Sequence, residues 1–348
     1  MRSILLLAII FGLLTTVSAQ SKKDTVTLIG VGDMMMGSNY PNGGKLPPDD
    51  GRGLMKEVEP VLQNADVTFG NLEGVLLNEG GIAKTCRDPK VCYVFRSPEK
   101  YVQNLVNAGF DVMSLANNHS GDFGDMGKRS SIRALEGAGI YQAGQTNKPY
   151  VVFERNGVKY GMAAFAPNTG CPSINDLTEA KRIIRKLDSL VDVVIVSFHG
   201  GAEGPQHEHV PRKNEPFHGE NRGNVYQFAH QLIDVGADVI FGHGPHVTRA
   251  VEVYKDRFIA YSMGNFCTYG GINVSGINGL APIVKVFTSS TGKFYKAHIT
   301  SIKQSFYGPV AIDPEKRVLK RIQLLTQQDF PECKIEIDDL GWVRSKTK

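Results

Sequence analysis

The sequence lacks the motifs that identify common nucleotide-binding and serine-hydrolase sites. It contains no Gly-x-Gly-x-x-Gly, no P-loop and no Gly-x-Ser-x-Gly segment. It also has no Cys-x-x-Cys pair of the kind that binds zinc, and no basic helix or aromatic-interleaved basic stripe. Because the formal net charge is only +4, we expect no nucleic-acid partner.

Long apolar runs are also missing, apart from a short one at the N-terminus. Residues 4–14 are apolar, follow Arg2 and precede a small-residue site ending at Ala19, which predicts a signal peptide over residues 1–19. The run is shorter than the roughly 20 residues of a membrane span, although an uncleaved anchor is the alternative. No Cys follows the cleavage site, which argues against a lipid anchor. We therefore expect an exported protein, in the periplasm or at the cell surface, that is soluble after cleavage.

Five cysteines are compatible with an oxidising compartment. Cys86 and Cys92 bracket a short loop, and we predict a disulfide between them. Cys171 and Cys267 follow strand-like segments and could pair, leaving Cys333 over. The alternative is that these last three are buried free thiols.

Five short apolar runs, each ending in polar residues, dominate the sequence. They cover residues 25–33, 66–73, 111–119, 192–199 and 238–246. Continuously apolar, β-branched runs are typical of strands buried on both faces. Helical patterns separate them at 53–65, 99–109, 177–190 and 224–236. This alternation predicts parallel βαβ units in an α/β fold.

Hairpin patterns interrupt the parallel alternation. Residues 150–165 form two β-runs around Asn156-Gly157, a strong two-residue turn signal. Residues 250–261 and 282–304 have the same character, and a last helix is predicted near 315–325. We therefore expect two stacked mixed sheets covered by helices. Residues 25–280 would form the main body, and residues 281–348 would complete the same domain.

Metal-ligand residue types occupy the ends of the five predicted parallel strands. Because such ends open on one edge of a sheet, the chain should bring together Asp33, Glu73, Asn118, His119, His199, His243 and His246, with Asn71 as an alternative to Glu73. Carboxylate, amide and imidazole groups are ligands for divalent metals. The sequence therefore predicts a metal-centred active site, in which all of these residues except His119 are candidate ligands.

Three further residues are assigned to chemistry or substrate binding. His119 adjoins the predicted ligand Asn118, and its imidazole can donate a proton. Glu203 follows the glycines after His199, and His209 lies in the polar loop that could cap the site. We predict His119 as the catalytic acid and the other two as substrate-binding residues.

A series of short motifs resembles that of the CapA family of capsule (poly-γ-glutamate) synthesis proteins. The segments are Gly32-Asp33, Asn71-Leu72-Glu73, Ser114-Leu-Ala-Asn-Asn-His119, Ser197-Phe-His-Gly-Gly-Ala-Glu203, Gly242-His-Gly-Pro-His-Val247 and Tyr261-Ser-Met-Gly-Asn-Phe266. The family is related in fold to calcineurin-like metallophosphoesterases. The resemblance implies a four-layer αββα sandwich, and it adds Asn265 as a substrate-binding residue.

The metallophosphoesterase motif series also implies one or two divalent ions, with Mn, Zn or Fe as candidates. In that series, Glu73 or Asn71 would replace the bridging Asp. The sequence departs from the series at Met35, which stands where the first motif has His, and in the wider spacing of its last two histidines, His243 and His246. The loss of an imidazole at Met35 and of the bridging carboxylate predicts that one of the two metal positions is weakened.

Two functions from different classes follow from these observations. One is a metal-dependent hydrolase acting on a phosphoester or amide substrate or on a cell-envelope polymer. The other, which the resemblance implies, is a non-catalytic component of a polymer synthesis machine, with membrane-bound synthase components as partners and a residual metal site.

Overall fold

The computed structural model describes residues 23–86 and 92–346. The predicted signal peptide, residues 1–19, lies outside the described residues and stays a prediction. Within the described part, no helix combines the length and apolarity that crossing a membrane requires.

Twenty strands and six α-helices make up the described chain. The strands are β1 (Thr25–Met35), β2 (Val67–Leu72), β3 (Val75–Leu76), β4 (Arg96–Ser97), β5 (Val112–Ser114), β6 (Tyr141–Ala143), β7 (Tyr150–Arg155), β8 (Val158–Phe165), β9 (Val193–His199), β10 (Pro216–Phe217), β11 (Glu220–Asn221), β12 (Val239–His243), β13 (Val251–Tyr254), β14 (Arg257–Ala260), β15 (Asn265–Thr268), β16 (Leu280–Ser289), β17 (Phe294–Lys303), β18 (Ala311–Ile312), β19 (Ile335–Ile337) and β20 (Trp342–Ser345). The helices are α1 (Glu59–Leu62), α2 (Val102–Ala108), α3 (Gly124–Gly137), α4 (Leu177–Asp188), α5 (Val225–Ile233) and α6 (Arg317–Asp329).

Two large mixed sheets form the centre of the fold. The ten-stranded sheet runs in the order β19-β20-β17-β16-β1-β2-β5-β6, with β15 also paired to β1 and β18 to β17. The six-stranded sheet has the order β13-β14-β12-β9-β8-β7. Strands β1, β2, β5 and β6 are mutually parallel, as are β8, β9, β12 and β14. The C-terminal strand β16 pairs antiparallel with β1 and so belongs to the first sheet.

The two sheets pack face to face over a shared apolar core. Phe69 of β2 stacks on Phe241 of β12 with ring centroids 5.5 Å apart. The sheets approach closely here, because a Cβ on Gly30 would lie 2.4 Å from the Phe241 ring. Helix α6 contacts β16, β17 and β13, and so contacts both sheets.

Helices cover the outer face of each sheet. Helices α1, α2 and α3 contribute Leu62, Leu105 and Leu135 to a core cluster on the ten-stranded sheet. Helices α4 and α5 contribute Ile184 and Phe228 to the corresponding cluster on the six-stranded sheet. The layers therefore run α, β, β, α, which confirms the predicted sandwich.

The structure confirms the predicted hairpins and corrects several other expectations. The turn at Asn156-Gly157 joins β7 to β8 with φ of +52° and +73°. The five strand ends do not share one sheet, because β1, β2 and β5 belong to the first sheet whereas β9 and β12 belong to the second. The predicted helix over 53–65 is reduced to α1. Helix α3 was not predicted, because it buries Gly127, Ser130 and Ser131 rather than a stripe of large apolar residues.

The cysteines are partly as predicted. Cys86 and Cys92 form a disulfide. The alternative pairing of Cys171 with Cys267 is wrong, since both are free, as is Cys333. The physical reason is that Cys171 packs in the core between the sheets, whereas Cys267 packs in the cluster on the helical side of the ten-stranded sheet.

Candidate metal centre

The candidate site lies where the carboxyl ends of strands from both sheets meet. In the first sheet Asp33 of β1 is paired in register with Asn71 of β2. In the second, His243 of β12 is paired with His199 of β9. A contact of 3.1 Å between His243 Nδ1 and Asp33 Oδ1 joins the two sheet edges. All four side chains are fully buried.

Asp33 is at the centre of this arrangement. Its Oδ1 accepts a hydrogen bond from Asn71 Nδ2 at 2.8 Å, and its Oδ2 lies 3.2 Å from His246 Nδ1. Burial opposes ionisation of this carboxyl, but the hydrogen bonds with His243 and His246 hold its pKa well below the usual range. Asp33 is therefore a buried carboxylate that is available as a hard metal ligand.

Glu73 and His246 complete a group with metal-ligand geometry. One donor atom from each of Asp33, Glu73 and His246 lies within 4.8 Å of the others. Burial raises the pKa of Glu73 to about 8, and the nearby Asp33 and Glu203 carboxylates add to that rise. Burial disfavours a charged His246, yet Glu73, Asp33 and Glu203 raise its pKa to about 10. Both pKa values report ionisable groups crowded at one buried point, where a bound cation would favour an ionised Glu73 and a neutral His246.

Several donor atoms in this cluster are buried without a hydrogen-bond partner among the described residues. They are both Glu73 carboxylate oxygens, His199 Nε2 and His243 Nε2, and Asn118 Oδ1, in the segment after β5, is likewise unpaired. Unpaired buried polar atoms cost stability and are rare in folded proteins. Because all of these atoms are of types that bind divalent metals, the residues fit a metal ion.

A hydrogen bond to Nδ1 of His246 leaves its Nε2 facing the cluster. His246 Nδ1 donates to Asn265 Oδ1 at 2.9 Å, which directs Nε2 toward Glu73 at 3.5 Å. Such a contact fixes the tautomer and orientation of a metal-ligating histidine. His246 itself has a φ of +57°, which places it in a tight turn after Gly244. This turn aims both His243 and His246 at the cluster.

The segment after β5 supplies two asparagines with different roles. Asn117 donates to Asn71 Oδ1 at 3.1 Å and to the Leu72 carbonyl at 2.9 Å, and its own Oδ1 accepts from the His119 backbone N–H. Asn118 instead keeps its Oδ1 unpaired. Sequence reasoning identified Asn118 but missed Asn117, although the Asn-Asn-His run was its visible signal.

His119 is held by a buried hydrogen-bond network. Its Nδ1 donates to Asp122 Oδ2 at 2.8 Å, and that oxygen also accepts from the Phe95 backbone N–H at 2.6 Å. Lys84 Nζ lies 2.6 Å from the other Asp122 oxygen, and the Phe95 ring packs 4.4 Å from the imidazole. Burial lowers the pKa of His119 despite the Asp122 carboxylate. The arrangement leaves Nε2 as the nitrogen that can exchange a proton with a substrate.

The predicted substrate-binding residues lie in three different settings. Glu203 Oε1 is 3.0 Å from Arg222 Nη1, close to the cluster. Asn265 uses both side-chain atoms within the protein and supports His246, so its place is behind the ligands. His209 binds Asp329 at the end of α6 at 2.7 Å and is half-exposed. The structure thus brings Glu203 and Asn265 to the cluster and shows no contact between it and His209; their substrate roles stay predictions.

Met35 occupies an apolar pocket beside the centre. It is buried with Phe95 and Ile272 in a small cluster of its own. A thioether in this position offers no imidazole to a second ion. The expectation of a weakened second metal position is unchanged by this placement.

The sequence matches a family profile described as "Bacterial capsule synthesis protein PGA_cap" over residues 27–269. Among curated proteins, it is 30% identical to "Capsule biosynthesis protein CapA" of Bacillus anthracis over 70% of this chain and 60% of that protein. It is 26% identical to "PGA biosynthesis protein CapA" of Bacillus subtilis over 70% and 63%. A third relative, 30% identical over 64% and 61%, is a "Probable polyglutamine synthesis accessory protein" of Mycobacterium tuberculosis. The chain thus matches about three fifths of the length of these relatives.

Solved structures with a similar fold are more distant in sequence. A putative 5'-nucleotidase from Staphylococcus aureus has a TM-score of 0.44 and 12% identity, covering 90% of this chain and 59% of that one. The purple acid phosphatase PPD1 from yellow lupin has a TM-score of 0.41 and 10% identity, covering 86% and 56%. Assignment to a family therefore depends on the sequence matches.

Proposed function

The chain belongs to the family of bacterial capsule synthesis proteins, and we propose that it works in the synthesis of a poly-γ-glutamate type of cell-envelope polymer as an exported, metal-dependent hydrolase. The observation that carries the hydrolase is the buried cluster of unpaired ligand atoms around Asp33. Burying these polar groups without partners lowers the stability of the fold, whereas well-packed apolar residues in their place would avoid that desolvation penalty. The cluster is therefore better explained by function than by structure.

Asp33, Glu73 and His246 would hold a divalent ion, with His199, His243 and Asn118 as further donors. When bound, a divalent metal supplies a Lewis acid that activates water and stabilises developing negative charge. The protein's own contribution is to keep these donors fixed and sealed from bulk water.

His119 supplies the proton to the leaving group in this proposal. Its Nδ1 is fixed by Asp122, so the ring presents Nε2 in a single orientation. The Phe95 ring against the imidazole and Lys84 against Asp122 limit its movement. The imidazolium form of His119 carries the proton on Nε2, and either the departing oxygen of a phosphoester or the departing nitrogen of an amide would accept it.

Export is supported by two features. The N-terminal residues 1–19 have the pattern of a signal peptide. The Cys86–Cys92 disulfide is of the kind that persists outside the cytoplasm. We therefore place the protein in the periplasm or at the cell surface.

A substrate screen with His119→Ala tests the catalytic proposal. The purified protein is assayed with phosphoester and γ-glutamyl amide substrates in the presence of Mn²⁺, Zn²⁺ or Fe²⁺. We expect turnover by the wild type and a loss of about 10²- to 10⁴-fold in the variant, with metal content and thermal stability retained. Wild-type turnover by the variant would refute the role of His119.

A second candidate function is that of a non-catalytic accessory component acting beside membrane-bound synthase components. The name of the mycobacterial relative and the apolar setting of Met35 favour it. Cells that carry His119→Ala distinguish the two functions. Undiminished polymer in these cells, together with loss of polymer on deletion of the gene, would favour the accessory role.

A further inference from the structure

Arg222 lies directly beside the candidate metal centre, although it is not one of the predicted ligands. Its backbone N–H donates to Glu215 O at 2.9 Å, and its carbonyl accepts from the Gly201 N–H at 2.9 Å. Gly201 follows His199 at the end of β9, so these bonds carry Arg222 to the edge of the cluster. A Cβ on Gly244, in the turn between His243 and His246, would lie 3.3 Å from Arg222 Nη2.

The guanidinium of Arg222 is buried and only partly paired. Its side chain is 3% exposed, and Nη1 lies 3.0 Å from Glu203 Oε1 and 3.7 Å from Glu220 Oε2. Neither Nε nor Nη2 has a hydrogen-bond partner in the described part of the chain. A guanidinium presents five N–H donors in a planar fork suited to a carboxylate or a phosphate. Two nitrogens of this fork are therefore available to an anion.

Arg222 lies against the segments that carry the proposed ligands. Its carbonyl accepts from the N–H of Gly201, two residues after His199, and its Nη2 faces Gly244, the residue after His243. An anion bound to this guanidinium would thus be held close to the residues proposed to hold the metal. Adjacent positive groups of this kind position the charged part of a substrate.

Glu203 is the carboxylate that Arg222 binds in the structure. It is one-quarter exposed and lies between Gly201 and Gly204, whose φ values are +85° and +100°. Its side chain can therefore reach solvent, whereas Arg222 cannot. This contact shows that the Arg222 guanidinium can bind a carboxylate.

We infer that Arg222 is the binding group for an anionic substituent of the substrate, a carboxylate or a phosphate, which would bind the unpaired Nε and Nη2 while Glu203, on Nη1, competes for the same positive charge. The inference rests on the proposed function, because the anion is placed beside the proposed metal. For a glutamate polymer, the anion is a free carboxylate next to the bond that is cleaved. For a phosphoester, it is the phosphoryl group itself.

Substitutions at the two residues should have opposite effects on anion binding. Arg222→Met removes the fork and should weaken binding about 10- to 100-fold. Arg222→Lys keeps the charge but loses the planar fork, and should weaken binding less. Glu203→Gln removes the competing carboxylate and should strengthen binding about threefold or more. A purely structural role for Arg222 would not produce a gain in Glu203→Gln.

Titration calorimetry on the purified, Mn²⁺-loaded protein provides the test. The probes are inorganic phosphate and a γ-linked glutamate trimer, and the one that binds tighter identifies the source of the anion. Glu220→Gln is the matched control for Glu203→Gln, because Glu220 is exposed and lies farther from Arg222. Arg182→Met, on the surface of α4, is the control for Arg222→Met. Metal content is measured for every variant.

The outcomes separate this inference from the proposed function. The inference stands if Arg222→Met loses affinity and Glu203→Gln gains it while both retain metal. It is overturned if the Arg222 variants bind both probes as the wild type does, if neither probe binds the wild type, or if Glu203→Gln weakens binding. If Arg222→Met fails to fold, the change in anion affinity of Glu203→Gln alone tests the inference. A wild type that binds no metal refutes the proposed hydrolase instead.

Discussion

Replacing Arg249 by Met should destabilise the protein more than any single surface change. Arg249 is completely buried, and its guanidinium binds both Glu215 oxygens, at 2.9 and 2.7 Å. It also donates to the His207 and Ala202 carbonyls, and Glu215 accepts from the Ala202 N–H. This buried ion pair therefore joins three loop segments beside the metal centre.

The magnitude follows from what the substitution leaves behind. Removing one partner of a buried ion pair costs about 3–5 kcal/mol, because the other charge stays buried and unpaired. For a chain of 348 residues, each kcal/mol corresponds to roughly 1.5 °C in Tm, so Arg249→Met should lower Tm by about 4–8 °C. Glu215→Leu should have a similar effect for the same reason.

A double-mutant cycle distinguishes this account from simple loss of packing. In Arg249→Met/Glu215→Leu no buried charge remains, so the double variant should be more stable than the sum of the single effects predicts, by about 2–3 kcal/mol. Calorimetric and urea unfolding would measure this coupling. Lys255→Met, which removes an exposed pair with Asp234, is the control and should leave Tm unchanged. Additive effects, or an Arg249→Met Tm equal to that of the wild type, would refute the reasoning.

Three further predictions concern other parts of the fold. Although burial opposes it, hydrogen bonds, including those from Thr27, lower the pKa of Asp66; its stabilisation is present above about pH 4 and lost as the pH falls through the lowered pKa. Asp66→Asn should therefore cost about 2–3 kcal/mol at pH 7, a cost that shrinks as the pH falls below about 4, and a pH-independent cost in urea unfolding would contradict this. Gly244→Ala should reduce bound metal, measured by elemental analysis, because φ is +111° and the new Cβ would lie 2.8 Å from Gly200 N; unchanged metal content would show that the turn tolerates a side chain. Asp122→Asn should lower kcat about 10- to 100-fold with little change in KM or metal content, since the Asp122 carboxylate contacts His119, Lys84 and the Phe95 N–H but none of the proposed ligands, and an unchanged kcat would remove Asp122 from the mechanism.

The sequence predicted the position of a site residue best where that residue lies at the end of a strand with a clear apolar pattern. His199 and His243 end the neighbouring parallel strands β9 and β12, and the shared polarity of parallel strands brings such ends to one edge of a sheet. Asp33 lies near the end of β1 in the other sheet, so its contact with His243 depends on how the two sheets pack. The division of these strands between two sheets could not be predicted, because it depends on contacts between segments far apart in the chain.

Residues on loops were the least predictable. Arg222 and Lys84 reach the site from irregular segments, and no local pattern marks either of them. His209 lies in a loop that could cap the site, and its contact with Asp329 of α6 depends on long-range packing that no local pattern shows; its substrate role stays a prediction. Met35, by contrast, lies in strand β1, and its burial against Phe95 agrees with the apolar pattern of that strand.

The metal content of the purified protein tests the central claim most directly. Elemental mass spectrometry would compare the wild type with His199→Ala and with the control His298→Ala, whose imidazole contacts the Leu340 carbonyl away from the cluster. We predict at least one divalent ion per chain in the wild type and the control, with less in His199→Ala. A wild type that binds no metal when Mn²⁺, Zn²⁺ or Fe²⁺ is supplied, or equal metal content in all three proteins, would contradict the assignment of this cluster as a metal centre.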